Sequence, residues 1–308
     1  MWLNLQIFGF RGLWSPYYLL FVLALALLYY LITGPYRHKF GGKGQKMPSV
    51  KQHFFFYGGL VLLYAVKGAP VDLLSHIMLT AHMIQMAIYY IVFPIFIIKG
   101  IPAWLWENVV NRRIIKPVLK FFSIPLISLF LFNTLFSLYH LPVIFDFAKT
   151  SQVAHTSIST IILIAAFIVW WPVLSPLKEF DRMPPLGKIF YIFANGVLIT
   201  PACVLIIFAD TPVYATYTQQ GAWLQALALC VPGGVLQGLS SGISGPEMFS
   251  PMSILEDQQL GGIIMKIMQE ITYGIVLARV FFGWFTRESL RVDPLPAGTN
   301  EVSTNEHG

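Results

Sequence analysis

The sequence predicts an all-α fold, a polytopic transmembrane helical bundle of seven spans with its N-terminus outside and its C-terminus cytoplasmic. Three observations carry that prediction. Of 308 residues, 56% are hydrophobic, 15% aromatic and only 11% charged, with a mean hydropathy of +0.67, whereas an ordinary soluble domain carries about 25% charged residues. Several stretches approach the ~20 apolar residues that a helix needs to cross the hydrocarbon core. The basic residues, finally, fall in alternate connections.

Each span follows from its own run of residues. The first, 17–34, is an uninterrupted apolar stretch followed by Arg37, Lys39, Lys43, Lys46 and Lys51. The second, 53–66, is short. The third, 71–98, leads into Lys99, Arg112, Arg113, Lys116 and Lys120. Spans at 121–139 and 152–174 come next, the latter followed by Lys178, Arg182 and Lys188. The sixth occupies 188–208, and the seventh, 260–285, carries Lys266, Glu270 and Arg279. Connections between the basic ones are nearly free of Lys and Arg, the positive-inside pattern that sets the orientation. The formal charge of +6 is thereby assigned to membrane topology and the lipid bilayer, with no nucleic acid as partner.

Residues 1–16 precede the bundle as an N-terminal segment in which Trp2, Leu5, Phe8 and Trp14 suit the headgroup level. The first span reads as an uncleaved anchor, since it lacks a small-residue cleavage site. The transmembrane domain covers 17–286. Within it, 222–239 is apolar but broken by Pro232, Gly233 and Gly234, and the charge rule favours a re-entrant or surface-lying element over an eighth span. The tail 287–308 is expected to be a disordered cytoplasmic segment. Cys203 and Cys230 form no CxxC-type pair and read as packing residues. No Walker sequence is present, and no nucleophile and base stand in a catalytic arrangement, so neither ATP-driven transport nor a catalytic enzyme is indicated.

The chemistry concentrates in VDLLSHIMLTAHMIQM, at the start of the third span. On a continuous helix at about 100° per residue, Met78, His82 and Met86 form one stripe with Gln85 beside it, and His76 and Met83 another, roughly 120° away. His140 and His155 fall at the same membrane side by the topology above. In the last span Asp257, Gly261, Met265 and Met268 follow helical spacing. Thioether and imidazole ligands suit Cu(I) better than magnesium or calcium, and ionisable residues at membrane depth usually face a functional interior. The candidate metal ligands are His76, His82, Met86, His140, His155 and Asp257. For each methionine the plain alternative is apolar filler, and for each histidine a hydrogen bond across the bundle.

The runs FRGLWSPYYLL, GPYRHKF, VDLLSHIMLTAHMIQM, SLYHLPVIFD, HTSIST followed by VWWPV, and SPMSILEDQQLGGIIM, in that order, resemble the CtaG family of cytochrome c oxidase assembly factors, Bacillus type, over 8–285. The resemblance implies a seven-helix protein of the bacterial plasma membrane needed for active haem–copper oxidase through its copper centre. Its partners would be the oxidase catalytic subunit and a copper-delivering protein. His82, His140 and His155 match the family pattern best, with Asp257 and Gln258 of the DQQ motif. Other branches have a histidine four residues after the one matching His82, where this chain has Met86, and four after His155, where it has Ser159. Because the copper of such oxidases lies within the bilayer, a donor would profit from soft, labile His/Met ligation at matching depth. Two other readings stay open: a metal-free scaffold for oxidase subunits, and a b-type cytochrome with His82 and His155 as axial ligands.

Overall fold

The computed structural model describes residues 5–41, 44–68, 70–231 and 249–289. Every regular element among them is helical. The principal helices are α1 (Pro16–Thr33), α2 (Val50–Lys67), α3 (Pro70–Ile77), α4 (Leu79–Met86), α5 (Phe93–Gly100), α6 (Pro125–Tyr139), α7 (Pro142–Ala148), α8 (Gln152–Leu174), α9 (Pro185–Ile207), α10 (Gln220–Leu227) and α11 (Ile254–Ser289). Residues 232–248, which include the Pro232, Gly233 and Gly234 that break the segment 222–239, and the tail from 290 lie outside the described residues.

Among the described residues five stretches are long and apolar enough to cross a membrane: Gln6–Thr33, Leu79–Gly100, Gln152–Leu174, Pro185–Ile207 and Ile254–Ser289. The number rises to seven if each of two bent pairs is one span. One pair joins Val50–Lys67 to Pro70–Ile77 through a bend of 41°, and the other joins Ile115–Phe122 to Pro125–Tyr139 through 83°. Proline at the first turn of α6 explains the second bend, because its ring and missing N–H cannot continue the preceding helix.

The third predicted span is not a continuous helix. Met78 is extended (φ −139°, ψ 144°) and divides α3 from α4, and a π-helical stretch, Ala87–Val92, joins α4 to α5. The stripes expected from 100° per residue therefore do not hold. Met78 stands outside α4, and His76 and His82 belong to different helices.

Polar side chains stitch the bundle together at registers far apart in sequence. Tyr29 donates to the Gly100 carbonyl at 2.9 Å, and Tyr191 to the Val169 carbonyl at 2.7 Å. Asn133 donates to Asn195 at 2.6 Å, and Asn195 to the Tyr273 hydroxyl at 2.9 Å, which links α6, α9 and α11. In hydrocarbon, where water offers no alternative partner, such bonds fix helix order. Lys266 and Glu270 of the last span are satisfied in the same way. Lys266 pairs with Glu270 at 2.6 Å, one turn on, and donates to Thr200 at 2.8 Å.

In the N-terminal segment Leu5, Phe8 and Leu13 are buried with Trp223, Leu227 and Phe249, whereas Phe10 and Trp14 are exposed. Cys203 is buried in the main core and Cys230 packs beside the second cluster, both as free thiols.

Candidate functional site

The break at Met78 organises the site. On its N-terminal side the Ser75 hydroxyl donates to the Asp72 carbonyl at 2.7 Å, and His76 Nδ1 lies 2.9 Å from that same oxygen. Such local side-chain bonds compete with continuation of a helix. On the C-terminal side α4 starts with buried backbone donors, which no side chain at its own N-cap satisfies. Asp257 of α11 supplies the cap from across the bundle. Its carboxylate accepts from the Leu79 N–H at 2.6 Å and the Thr80 N–H at 3.3 Å, and its carbonyl accepts from the Thr80 hydroxyl at 2.9 Å. Gly261, one turn later, makes the approach feasible, since a Cβ there would lie 3.1 Å from the Thr80 backbone.

Around this break stand four buried histidines from separate elements: His76 on α3, His82 on α4, His140 at the end of α6 and His155 on α8. The rings of His76 and His155 have centroids 5.6 Å apart. His82 packs edge-on against Phe145 at 5.0 Å and tilted against Tyr139 at 6.0 Å. His140 lies against Tyr139 at 5.2 Å, and its Nδ1 is 2.7 Å from the Phe136 carbonyl.

Hydrogen bonding divides the ring nitrogens in an informative way. With Nδ1 tied to a main-chain carbonyl, His76 and His140 have their tautomer set and Nε2 left as a lone-pair donor. Both Nε2 atoms, both nitrogens of His82 and Nδ1 of His155 are buried without a hydrogen-bond partner among the described residues. Buried polar atoms in native folds are nearly always paired, and leaving one unpaired costs about 1–3 kcal/mol. Five such nitrogens in one neighbourhood call for a ligand or water.

Two structures close over them. The short helix α7 holds Asp146, whose carboxylate accepts from the N–H groups of Ala215 and Thr216 at 3.0 and 2.9 Å. This pins the following tyrosines: Tyr214 donates to the His140 carbonyl at 2.8 Å, and Tyr217 to the Ser75 carbonyl at 2.9 Å. The DQQ motif adds further stitches, Gln258 accepting from the Val213 N–H at 2.8 Å and Gln259 donating to the Ala209 carbonyl at 3.2 Å. The His76 and His155 side is less covered. A cavity of about 250 Å³, lined also by Lys67, Asp72 and Ser159, reaches the surface there beside Gln152 and Thr156.

Sequence reasoning passed over Lys149. Only 2% exposed, it has no hydrogen-bond partner for Nζ among the described residues and lies 5.6 Å over the Phe145 ring. Burial first, and repulsion from Lys67 second, push its amine down to about 7. It is within electrostatic reach of His76, His82 and His155. A lone lysine in a connection otherwise free of Lys and Arg was the available signal.

Of the six candidate ligands, the four histidines share one neighbourhood. Met86 is fully buried in the core that contains Tyr139 and Phe145, the rings against which His82 packs. Asp257 has both carboxylate oxygens engaged by backbone N–H groups. Among the described residues no three His, Cys, Asp or Glu side chains stand close enough to hold one metal ion.

No curated protein and no solved structure matches the chain. The family model described as cytochrome c oxidase caa3 assembly factor (Caa3_CtaG) does match, over residues 27–287. With most of its length covered by that match, this multi-pass helical protein belongs to the cytochrome c oxidase caa3 assembly factor family.

Proposed function

We propose that this assembly factor handles Cu(I) as cargo at the buried histidine cluster and passes it to the oxidase catalytic subunit in the bacterial plasma membrane. The observation that carries this reading is the set of five unpartnered ring nitrogens on His76, His82, His140 and His155. Two of those rings are oriented by carbonyl bonds at Nδ1, the arrangement that metal-binding imidazoles commonly use. Imidazole and thioether are the ligand types that suit a soft monovalent ion, and Met86 supplies the second.

In this reading His76 and His155 meet the ion first, because they line the cavity that reaches the surface. His82 and His140 lie under Tyr139, Phe145 and Tyr214, which exclude water. Asp257 acts as a positioning residue that holds the start of α4. Few ligands within reach of one another favours loose retention, which a cargo carrier needs and a permanent metal centre does not. A metal-free scaffold is the second reading, favoured by the lack of a three-residue metal cluster among the described residues.

Cells whose sole copy carries His82→Gln distinguish the two. Copper handling predicts oxidase that retains its haem and loses copper. Full copper content in that strain would favour the scaffold.

A further inference from the structure

At the end of the bundle opposite the histidines, a cavity of about 600 Å³ opens among α2, α5, α8 and α11. Lys51, Lys99 and Arg279 line it, and no carboxylate does. Lys51 stands at the start of α2 and Lys99 near the end of α5, so the cavity lies where spans meet the membrane boundary. Between the cations the walls are apolar, with Phe55, Phe96 and Ile275 among them.

Positive charge here is left uncompensated. Elsewhere at this end Lys116 pairs with Glu179 at 3.0 Å and Lys188 with Asp181 at 2.6 Å. Lys51, Lys99 and Arg279 take part in no ion pair among the described residues, and Lys99 feels repulsion from both Lys188 and Arg279. Three helices far apart in sequence thus bring like charges to one cavity, which an anionic group would relieve. Its occupant needs a negative head at the boundary and an apolar body below it. Basic pockets between helices at a membrane face take acidic lipid headgroups on these grounds.

We propose that this cavity is a specific site for an anionic phospholipid, its phosphate held among Lys51, Lys99 and Arg279 and an acyl chain laid along Phe55, Phe96 and Ile275. Inorganic phosphate would satisfy the charges but not the walls.

Native mass spectrometry of the full chain in detergent, with phosphatidylglycerol or phosphatidylcholine added, tests the site. Wild type should retain phosphatidylglycerol about tenfold better, with a raised unfolding temperature that inorganic phosphate does not reproduce. The K51Q/K99Q/R279Q variant should lose that preference. Ile275→Trp, at an exposed position that tolerates bulk, should lose retention with all three cations in place, which keeps the test sound if the triple variant fails to fold. Equal retention of the two lipids by wild type would overturn the proposal. So would unchanged preference in both variants, or equal protection by inorganic phosphate.

Discussion

The Asp257 carboxylate accepts the Leu79 backbone N–H at 2.6 Å, although 178 positions separate the two residues. An acid at the mouth of a membrane span is thereby a helix cap supplied from another helix, and the break it stabilises separates His76 from His82.

Removing that cap as Asp257→Ala should destabilise the protein by about 1–3 kcal/mol, the cost of orphaned buried backbone donors. Thermal unfolding in detergent measures it. Asp257→Asn keeps an acceptor oxygen and should recover part of the loss while leaving Cu(I) affinity near wild type. A variant with normal stability and lost copper would make Asp257 a ligand instead.

Gly261 is the steric partner of the same contact. Gly261→Val places branched carbon against a backbone only 3.1 Å from its Cβ, and overpacking of this kind costs about 1–3 kcal/mol. The unfolding temperature should fall, and His82 should become accessible to imidazole-modifying reagents that spare it in the wild type.

Lys149 makes stability depend on pH with a definite sign. Its amine titrates near 7 in the fold against an ordinary value of 10.5, so between those values the unfolded chain binds more protons. Stability contributed by this residue therefore rises with pH from about 7 to 10.5. Lys149→Met should flatten that slope and raise the unfolding temperature at neutral pH, as followed by thermal melts across the range.

Ser159 lines the same cavity as His76 and His155. Ser159→His should add an imidazole to that pair and tighten Cu(I) binding by about tenfold or more, equivalent to about 1.4 kcal/mol. Competition against a Cu(I) chelator of known affinity reads the change.

Much of the fold was legible because membrane spans are written in apolar length. The run 152–174 coincides with α8, and 17–34 differs from α1 by one residue at each end. The break at Met78 was not legible, since residues 70–86 carry no internal proline or glycine. It depends on Ser75 and His76 turning to the Asp72 carbonyl and on a cap arriving from α11. Pro125 could have signalled the 83° bend before α6, but the span expected at 121–139 runs straight through it. In the site, the basic connections led to the expectation that the four histidines share one side of the membrane, and the structure brings the His76 and His155 rings to 5.6 Å. Lys149 and the structural work of Asp257 and Gln258 were not legible, because helical spacing says nothing about partners on other helices.

Copper retained after chelator challenge, measured per protein in wild type and in the His82→Ala, His155→Ala variant, tests the central claim most directly. Cu(I) should be held by the wild type and lost by the variant, without a Soret band in either. Equal or absent copper in both would contradict it.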